Sequence, residues 1–173
     1  MTQPFAIGGN ILRVDLTRRA VTVEPTAPLN LRFPAGMGVN NWLLLNETPL
    51  GKAPLDPDNP LIFTAGSLVG TMAATACRMT ISCKNVLTGG FGAASAGGNF
   101  APELKYAGFD HIVVTGRAAQ PVYIDIDDGN VTICDADGLW GETTWETEKI
   151  LRARIDRPTL ELLSIGPAGE SMA

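Results

Sequence analysis

The sequence predicts an α+β fold built from duplicated hairpin–helix–strand units with approximate twofold symmetry. Three observations carry that prediction. Both ends of the chain read in the same order: β-hairpin, helix, strand, glycine-containing loop. The two hairpins share a local pattern, Val14-Asp15-Leu16 … Val21-Thr22-Val23 against Ile124-Asp125-Ile126 … Val131-Thr132-Ile133. The strands that close the units, ending at Ala65 and Ile165, run into Gly66 and Gly166. Equivalent glycine loops suit two copies of one ligand, or two halves of a symmetric one.

The elements follow from local chemistry. Ile11 to Leu16 and Val21 to Glu24 alternate as strands around Thr17-Arg18-Arg19 and predict the first hairpin. Gly36 to Glu47 carries Trp42-Leu43-Leu44-Leu45 and predicts a helix, followed by a proline-rich loop from Pro49 to Pro60. Leu61 to Ala65 predicts a short apolar strand and Arg78 to Lys84 an alternating one, and Thr88 to Gly98 reads as a glycine-rich stretch. Ala101 to Ala107 predicts a short helix and His111 to Thr115 a buried strand. Val122 to Ile126 and Val131 to Cys134 form the second hairpin around Asp127-Asp128-Gly129-Asn130. Thr143 to Ile155 predicts a helix capped by Thr143 or Thr144, with Ile150, Leu151 and Ile155 on one face. Leu160 to Ile165 predicts a strand, and Gly166 to Ser171 a loop.

Composition excludes several classes. Apolar residues make up 45% of the 173 residues, enough for a substantial core in one domain. The net charge of -5 argues against a nucleic-acid surface. Cys77, Cys83 and Cys134 form no C-x-x-C pair, which fits a reduced, intracellular chain better than a disulfide scaffold. His111 is the single histidine, so a histidine-rich metal site and a local Ser-His-Asp triad are excluded. Met1 to Asn10 lacks the pattern of a signal peptide, and no apolar run approaches the roughly 18 residues of a membrane span. The expectation is a cytoplasmic protein.

Gly66 to Gly98 holds the most chemical information. Its glycines free backbone N–H groups to face an anion, and Arg78 and Lys84 stand between them. Two readings stay open on these residues: a cradle for phosphate groups, or tight turns with Arg78 on the surface. No G-x-x-x-x-G-K-[ST] or G-x-G-x-x-G pattern occurs, so the usual nucleotide folds are disfavoured.

Several blocks resemble the aldehyde:ferredoxin oxidoreductase family. They are Asn10-Ile11-Leu12-Arg13-Val14-Asp15-Leu16-Thr17, Leu61 to Thr71, Glu103-Leu104-Lys105-Tyr106-Ala107-Gly108-Phe109-Asp110 and Ser164-Ile165-Gly166-Pro167-Ala168-Gly169-Glu170. They occur in the family's order, with Leu139-Trp140-Gly141 before the last. The resemblance implies that residues 1–173 are an N-terminal pterin-binding domain, a β-rich base for a tungsten or molybdenum bis-pterin cofactor whose phosphates are bridged by magnesium. It implies oxidation of aldehydes to carboxylic acids, with electrons passed to ferredoxin or a similar carrier through a 4Fe-4S cluster ligated by residues outside this chain. Arg78 matches the arginine between pterin and cluster, and Gly97 and Gly98 match the pterin-binding turn. Ser95 stands where better-known members carry an asparagine, which implies a magnesium contact made directly or through water.

The same resemblance leads us to expect that the domain is incomplete. A second cofactor loop and the helical domains with the cluster cysteines and substrate pocket belong to remaining domains or a second subunit, and the chain is expected to self-associate or need such a partner. By itself it is expected to be inactive. The other readings are a free-standing binding module and a subunit of a ring-reducing thioester reductase of the same family. His111, Trp42, Trp140, Trp145 and Cys134 are expected to pack, with Trp140 also suited to an interface. Asp125, Asp127 and Asp128 are expected at the hairpin turn, and Glu103 and Lys105 in solvent or at an interface.

Overall fold

The computed structural model describes residues 9–33, 36–49 and 51–172. The first hairpin is β1 (Asn10–Asp15) and β2 (Ala20–Pro25), followed by α1 (Ala27–Asn30) and α2 (Met37–Glu47). Then come β3 (Leu61–Ala65), β4 (Met79–Lys84), β5 (Phe91–Ala96), α3 (Phe100–Tyr106) and β6 (Phe109–Thr115). The last third holds β7 (Val122–Asp127), β8 (Asn130–Asp135), α4 (Thr144–Arg154) and α5 (Gly166–Glu170).

A six-stranded mixed sheet in the order β2-β1-β6-β3-β4-β5 dominates the molecule. Among the described strands only the β1–β6 pairing is parallel; β3 pairs antiparallel with both β4 and β6. Both faces of its centre are covered. Val39, Leu43 and Leu44 of α2 pack on Ile11, Ile62 and Val113 from one side. Leu12, Val14 and Ile112 face Ile124, Ile126, Val131 and Ile133 of the β7–β8 hairpin on the other. Burial on both faces explains why β6 reads as a continuous apolar run rather than an alternating one.

Arg13 ties three elements together. Its guanidinium donates to Glu24 on β2 at 2.7 Å and to both carboxylate oxygens of Glu47 on α2 at 2.7 and 2.8 Å. α4 begins with a complete capping box between Thr143 and Glu146, which settles the cap on Thr143.

The second unit departs from the expected symmetry. It keeps a hairpin followed by a helix, but no third strand follows α4, and β7 and β8 form a separate two-stranded sheet. Residues 160–165, expected as a strand, join no ladder, because no neighbouring strand among the described residues meets their backbone. The expected loop after Ile165 is instead the helical turn α5, with Pro167 in its first turn. The glycine-rich stretch contains an unexpected strand, β5, held by its full antiparallel register with β4.

Side-chain expectations also change. Trp42 packs partly buried against the α2 core, whereas Trp140 is 55% and Trp145 82% exposed. Cys134 is half-buried rather than central to the core. Asp125 lies within β7, where Arg157 grips both its oxygens at 2.9 Å. Lys105 is buried, its ammonium 2.9 Å from Asp110.

Candidate functional site

The sequence-predicted residues Arg78, Ser95, Gly97 and Gly98 converge on one end of the β4–β5 pair. The register places Thr80 opposite Ser95 and Met79 opposite Ala96. Arg78, just before β4, and Gly97, just after β5, therefore extend the same pair at the same end. Strand alternation puts Arg78, Thr80 and Ser95 on one face of the sheet.

The surroundings keep this end open. β5 is an edge strand whose side chains from Gly92 to Ala96 are all small. A Cβ added at Gly97 or Gly98 would meet nothing within 4 Å, and Gly98 has φ +107°, a conformation suited to glycine. Ser95, Gly97, Gly98 and Arg78 are all exposed. The Arg78 guanidinium has no hydrogen-bond or ion-pair partner among the described residues. A free guanidinium beside bare, open backbone can grip an anionic group bidentately while N–H groups approach it closely.

The loop from Ala65 to Arg78 is anchored rather than slack. Val69 is buried with Ala65, Met79 and Ala101. The Tyr106 hydroxyl donates to the Gly70 carbonyl at 3.1 Å. A Cβ at Gly70 would press on the Tyr106 ring at 3.2 Å, so glycine allows that clasp.

Beneath the open end runs a polar chain that the sequence reading missed. Asn40 of α2 donates to the Ser82 hydroxyl at 2.8 Å and weakly to the Thr80 carbonyl at 3.5 Å. Because that carbonyl can only accept, the Asn40 amide oxygen faces Thr64, whose hydroxyl donates to it. Thr64 then stands 2.8 Å from His111 Nδ1. Beyond the ring, Asn30 Oδ1 lies 3.4 Å from His111 Nε2, and Asn30 Nδ2 donates to Asp110 at 3.2 Å. Burial pushes the His111 pKa down to about 4, with Asp110 opposing and Lys105 reinforcing the shift. The ring is neutral at physiological pH and serves structure. An asparagine inside the apolar run of α2 was the available signal.

Cys77, Cys83 and Cys134 are free thiols, and burial raises the Cys83 pKa. Among the described residues no group of three or more His, Cys, Asp or Glu side chains could hold a metal ion. No described helix is long and apolar enough to cross a membrane.

Comparison with known proteins decides the family. Residues 11–173 match the family model described as the aldehyde ferredoxin oxidoreductase N-terminal domain. The chain belongs to the aldehyde ferredoxin oxidoreductase family. It is 41% identical, over 95% of its length, to a tungsten-containing aldehyde ferredoxin oxidoreductase of Pyrococcus furiosus. It is 33% identical, over 85% of its length, to the WOR-like subunit of an aliphatic sulfonate oxidoreductase from the same organism. Among solved structures it superposes on a chain of the active-site complex BamBC of benzoyl coenzyme A reductase, determined with 1,5-dienoyl-CoA. The TM-score is 0.92 at 35% identity over 96% of this chain. The chain spans only 27%, 24% and 26% of these relatives' lengths, so the comparison with this oxidoreductase family is a comparison of N-terminal domains.

Proposed function

We propose that this chain is the cofactor-binding base of a larger cytoplasmic oxidoreductase that oxidises aldehydes to carboxylic acids. The cofactor would be a tungsten or molybdenum bis-pterin with a bridging magnesium. The observation that carries the reading is the free, exposed Arg78 beside the open backbone of Gly97 and Gly98, in a chain 41% identical to a tungsten-containing relative. When bound, such a group supplies two-electron oxidation of the aldehyde and, with a 4Fe-4S cluster ligated outside this chain, one-electron delivery to ferredoxin or a similar carrier.

The residues of this chain bind and orient. Arg78 places a permanent positive charge against a phosphate or the polar pterin edge. Gly97 and Gly98 let backbone N–H groups reach the ligand where a Cβ would intervene. The Ser95 hydroxyl would help to hold a magnesium ion, directly or through water. The buried Asn40–Thr64–His111 chain holds α2 and β4 rigid on the sheet face that carries Thr80 and Ser95. Remaining domains or a second subunit provide the cluster cysteines and the substrate pocket, and the assembly is an oligomer.

The likeness to the benzoyl coenzyme A reductase chain favours one second reading, a subunit that reduces an aromatic thioester. Both readings are tested on protein purified anaerobically from its own cells. Near-stoichiometric tungsten or molybdenum with aldehyde-dependent reduction of ferredoxin supports the first. Metal with electron transfer only to an aromatic thioester supports the second. Absence of both metals contradicts the two together.

A further inference from the structure

We propose that the Thr80 hydroxyl is a further cofactor-binding group, paired with Ser95 to seat a water carried by the magnesium ion. The proposal rests on the reading of this chain as a bis-pterin base and deepens it. Three observations carry it. First, the sheet register lines up a polar row. Ser95 on β5 lies opposite Thr80 on β4, Thr80 opposite Thr64 on β3, and Thr64 opposite His111 on β6. Residues directly opposite share a sheet face, so the four side chains cross four strands on one face. Met79 and Ile81, the neighbours of Thr80 on β4, turn to the other face and join the apolar cluster of Ala65, Val69 and Ala101.

Second, the row divides into a satisfied inner half and an outer half without partners. Thr64 donates its proton to Asn40, and His111 Nδ1 lies 2.8 Å from the Thr64 oxygen. The Asn40 amide donates to the Ser82 hydroxyl at 2.8 Å and to the Thr80 carbonyl at 3.5 Å. Both of its N–H groups are then engaged, and none is left for the Thr80 side chain. The hydroxyls of Thr80 and Ser95 make no hydrogen bond among the described residues. Thr80 is half-buried and Ser95 exposed on the edge strand, so the pair sits where the row meets the open side of the sheet. A β-branched side chain suits a strand with or without a hydroxyl. Valine would serve β4 equally well, which leaves the Thr80 hydroxyl to a ligand.

Third, the surroundings suit a hydrated divalent cation held between phosphates. Opposite side chains on neighbouring strands have Cβ atoms about 5 Å apart, which lets two hydroxyls reach one water. Arg78 stands two residues before Thr80 on the same face, with its guanidinium free for an anionic oxygen. Magnesium keeps several of its waters and takes phosphate oxygens as further ligands. A neutral hydroxyl accepts a hydrogen bond from such a water and donates its own proton to a phosphate oxygen.

Magnesium retention tests the proposal in protein purified anaerobically from its own cells. Wild type, Thr80→Val, Thr80→Ser, Ser95→Ala and the double variant Thr80→Val with Ser95→Ala are challenged with EDTA. Elemental mass spectrometry follows magnesium per tungsten or molybdenum. Thr80→Val should lose magnesium at least about tenfold faster than wild type, the effect of one hydrogen bond to a charged group. Thr80→Ser should retain it as wild type does. The double variant should lose it no more than about twofold faster than the faster single variant, because either substitution already breaks the shared seat. Equal retention in wild type and Thr80→Val overturns the proposal. So does loss from Thr80→Ser as fast as from Thr80→Val, because the methyl group is then what matters. Effects that multiply in the double variant overturn the shared water. Wild type without tungsten or molybdenum contradicts the cofactor reading as well, whereas equal retention in metal-loaded proteins overturns this proposal alone.

Discussion

The Nδ1 nitrogen of His111 lies 2.8 Å from the Thr64 hydroxyl, whose proton goes to Asn40, while Nε2 lies 3.4 Å from Asn30 Oδ1; the shorter contact assigns the proton of the neutral ring to Nδ1. Nitrogen NMR should therefore show a neutral ring protonated at Nδ1 at pH 7. Its titration midpoint should lie near 4 instead of near the ordinary 6.5. A midpoint near 6.5, or the Nε2-protonated form, would refute this assignment.

That titration makes stability depend on pH with a definite sign. Between pH 6.5 and about 4 the unfolded chain takes up a proton that the folded chain refuses. The contribution is full above pH 6.5 and is lost as pH falls toward 4, by up to roughly tenfold in the folding constant per unit. The carboxylates held low by hydrogen bonds, Asp15 by Arg18 and Glu146 by Thr143, act only at lower pH. Denaturant melts across this range in wild type and His111→Gln separate the effects. The variant should be less stable at pH 7 and flatter between 6.5 and 4.

Lys105→Met should destabilise the fold by about 3 kcal/mol, because it withdraws the ammonium from a buried carboxylate. Asp110 keeps hydrogen bonds from Gly9 and Asn30, which places the loss at the lower end of the range for broken buried pairs. Equilibrium urea unfolding measures it. A cost below about 1 kcal/mol would mean that the pair acts as an exposed one.

Much of this architecture was legible in the sequence, and the misses share a cause. β1, β2, α2, β3, β4, β6 and the second hairpin follow from apolar periodicity and turn residues, which are local signals. β5 was hidden because Gly92-Ala93-Ala94 carries no strand propensity; it exists by pairing with β4. Residues 160–165 failed in the opposite sense, since Leu160-Glu161-Leu162-Leu163 has strand character but no partner strand among the described residues. Lys105 looks solvated or interfacial on a short helix, and the packing of α3 on β6 buries it against Asp110. The open end of the β4–β5 pair was legible as residue types, not as geometry. Nothing local announces that Ser95 faces Thr80, or that Asn40 and Thr64 brace β4 on that same face.

Thr143→Ala should cost about 1 kcal/mol by breaking both halves of the α4 capping box. Thermal melts measure it, and Thr144→Ala, outside the cap, serves as the control expected to change little.

Gly97→Ala separates folding from binding. Its Cβ would meet nothing in the chain, so stability should change by less than about 0.5 kcal/mol. Gly98→Ala should cost about 1 kcal/mol because of its φ of +107°. Both should lower the metal content of the native protein, since each new methyl group occupies the space reserved for the ligand. Full metal content in Gly97→Ala would contradict a close backbone approach there.

The most direct test of the account is the tungsten and molybdenum content of Arg78→Ala, purified anaerobically from its own cells and set beside wild type. Because the Arg78 side chain has no partner among the described residues, the variant should keep the wild-type melting temperature. The account predicts near-stoichiometric metal in wild type and at least about a tenfold lower content in the variant, the loss of one charge-assisted contact. Equal metal in both proteins would contradict the assignment of Arg78, and with it the placement of the cofactor on the β4–β5 end.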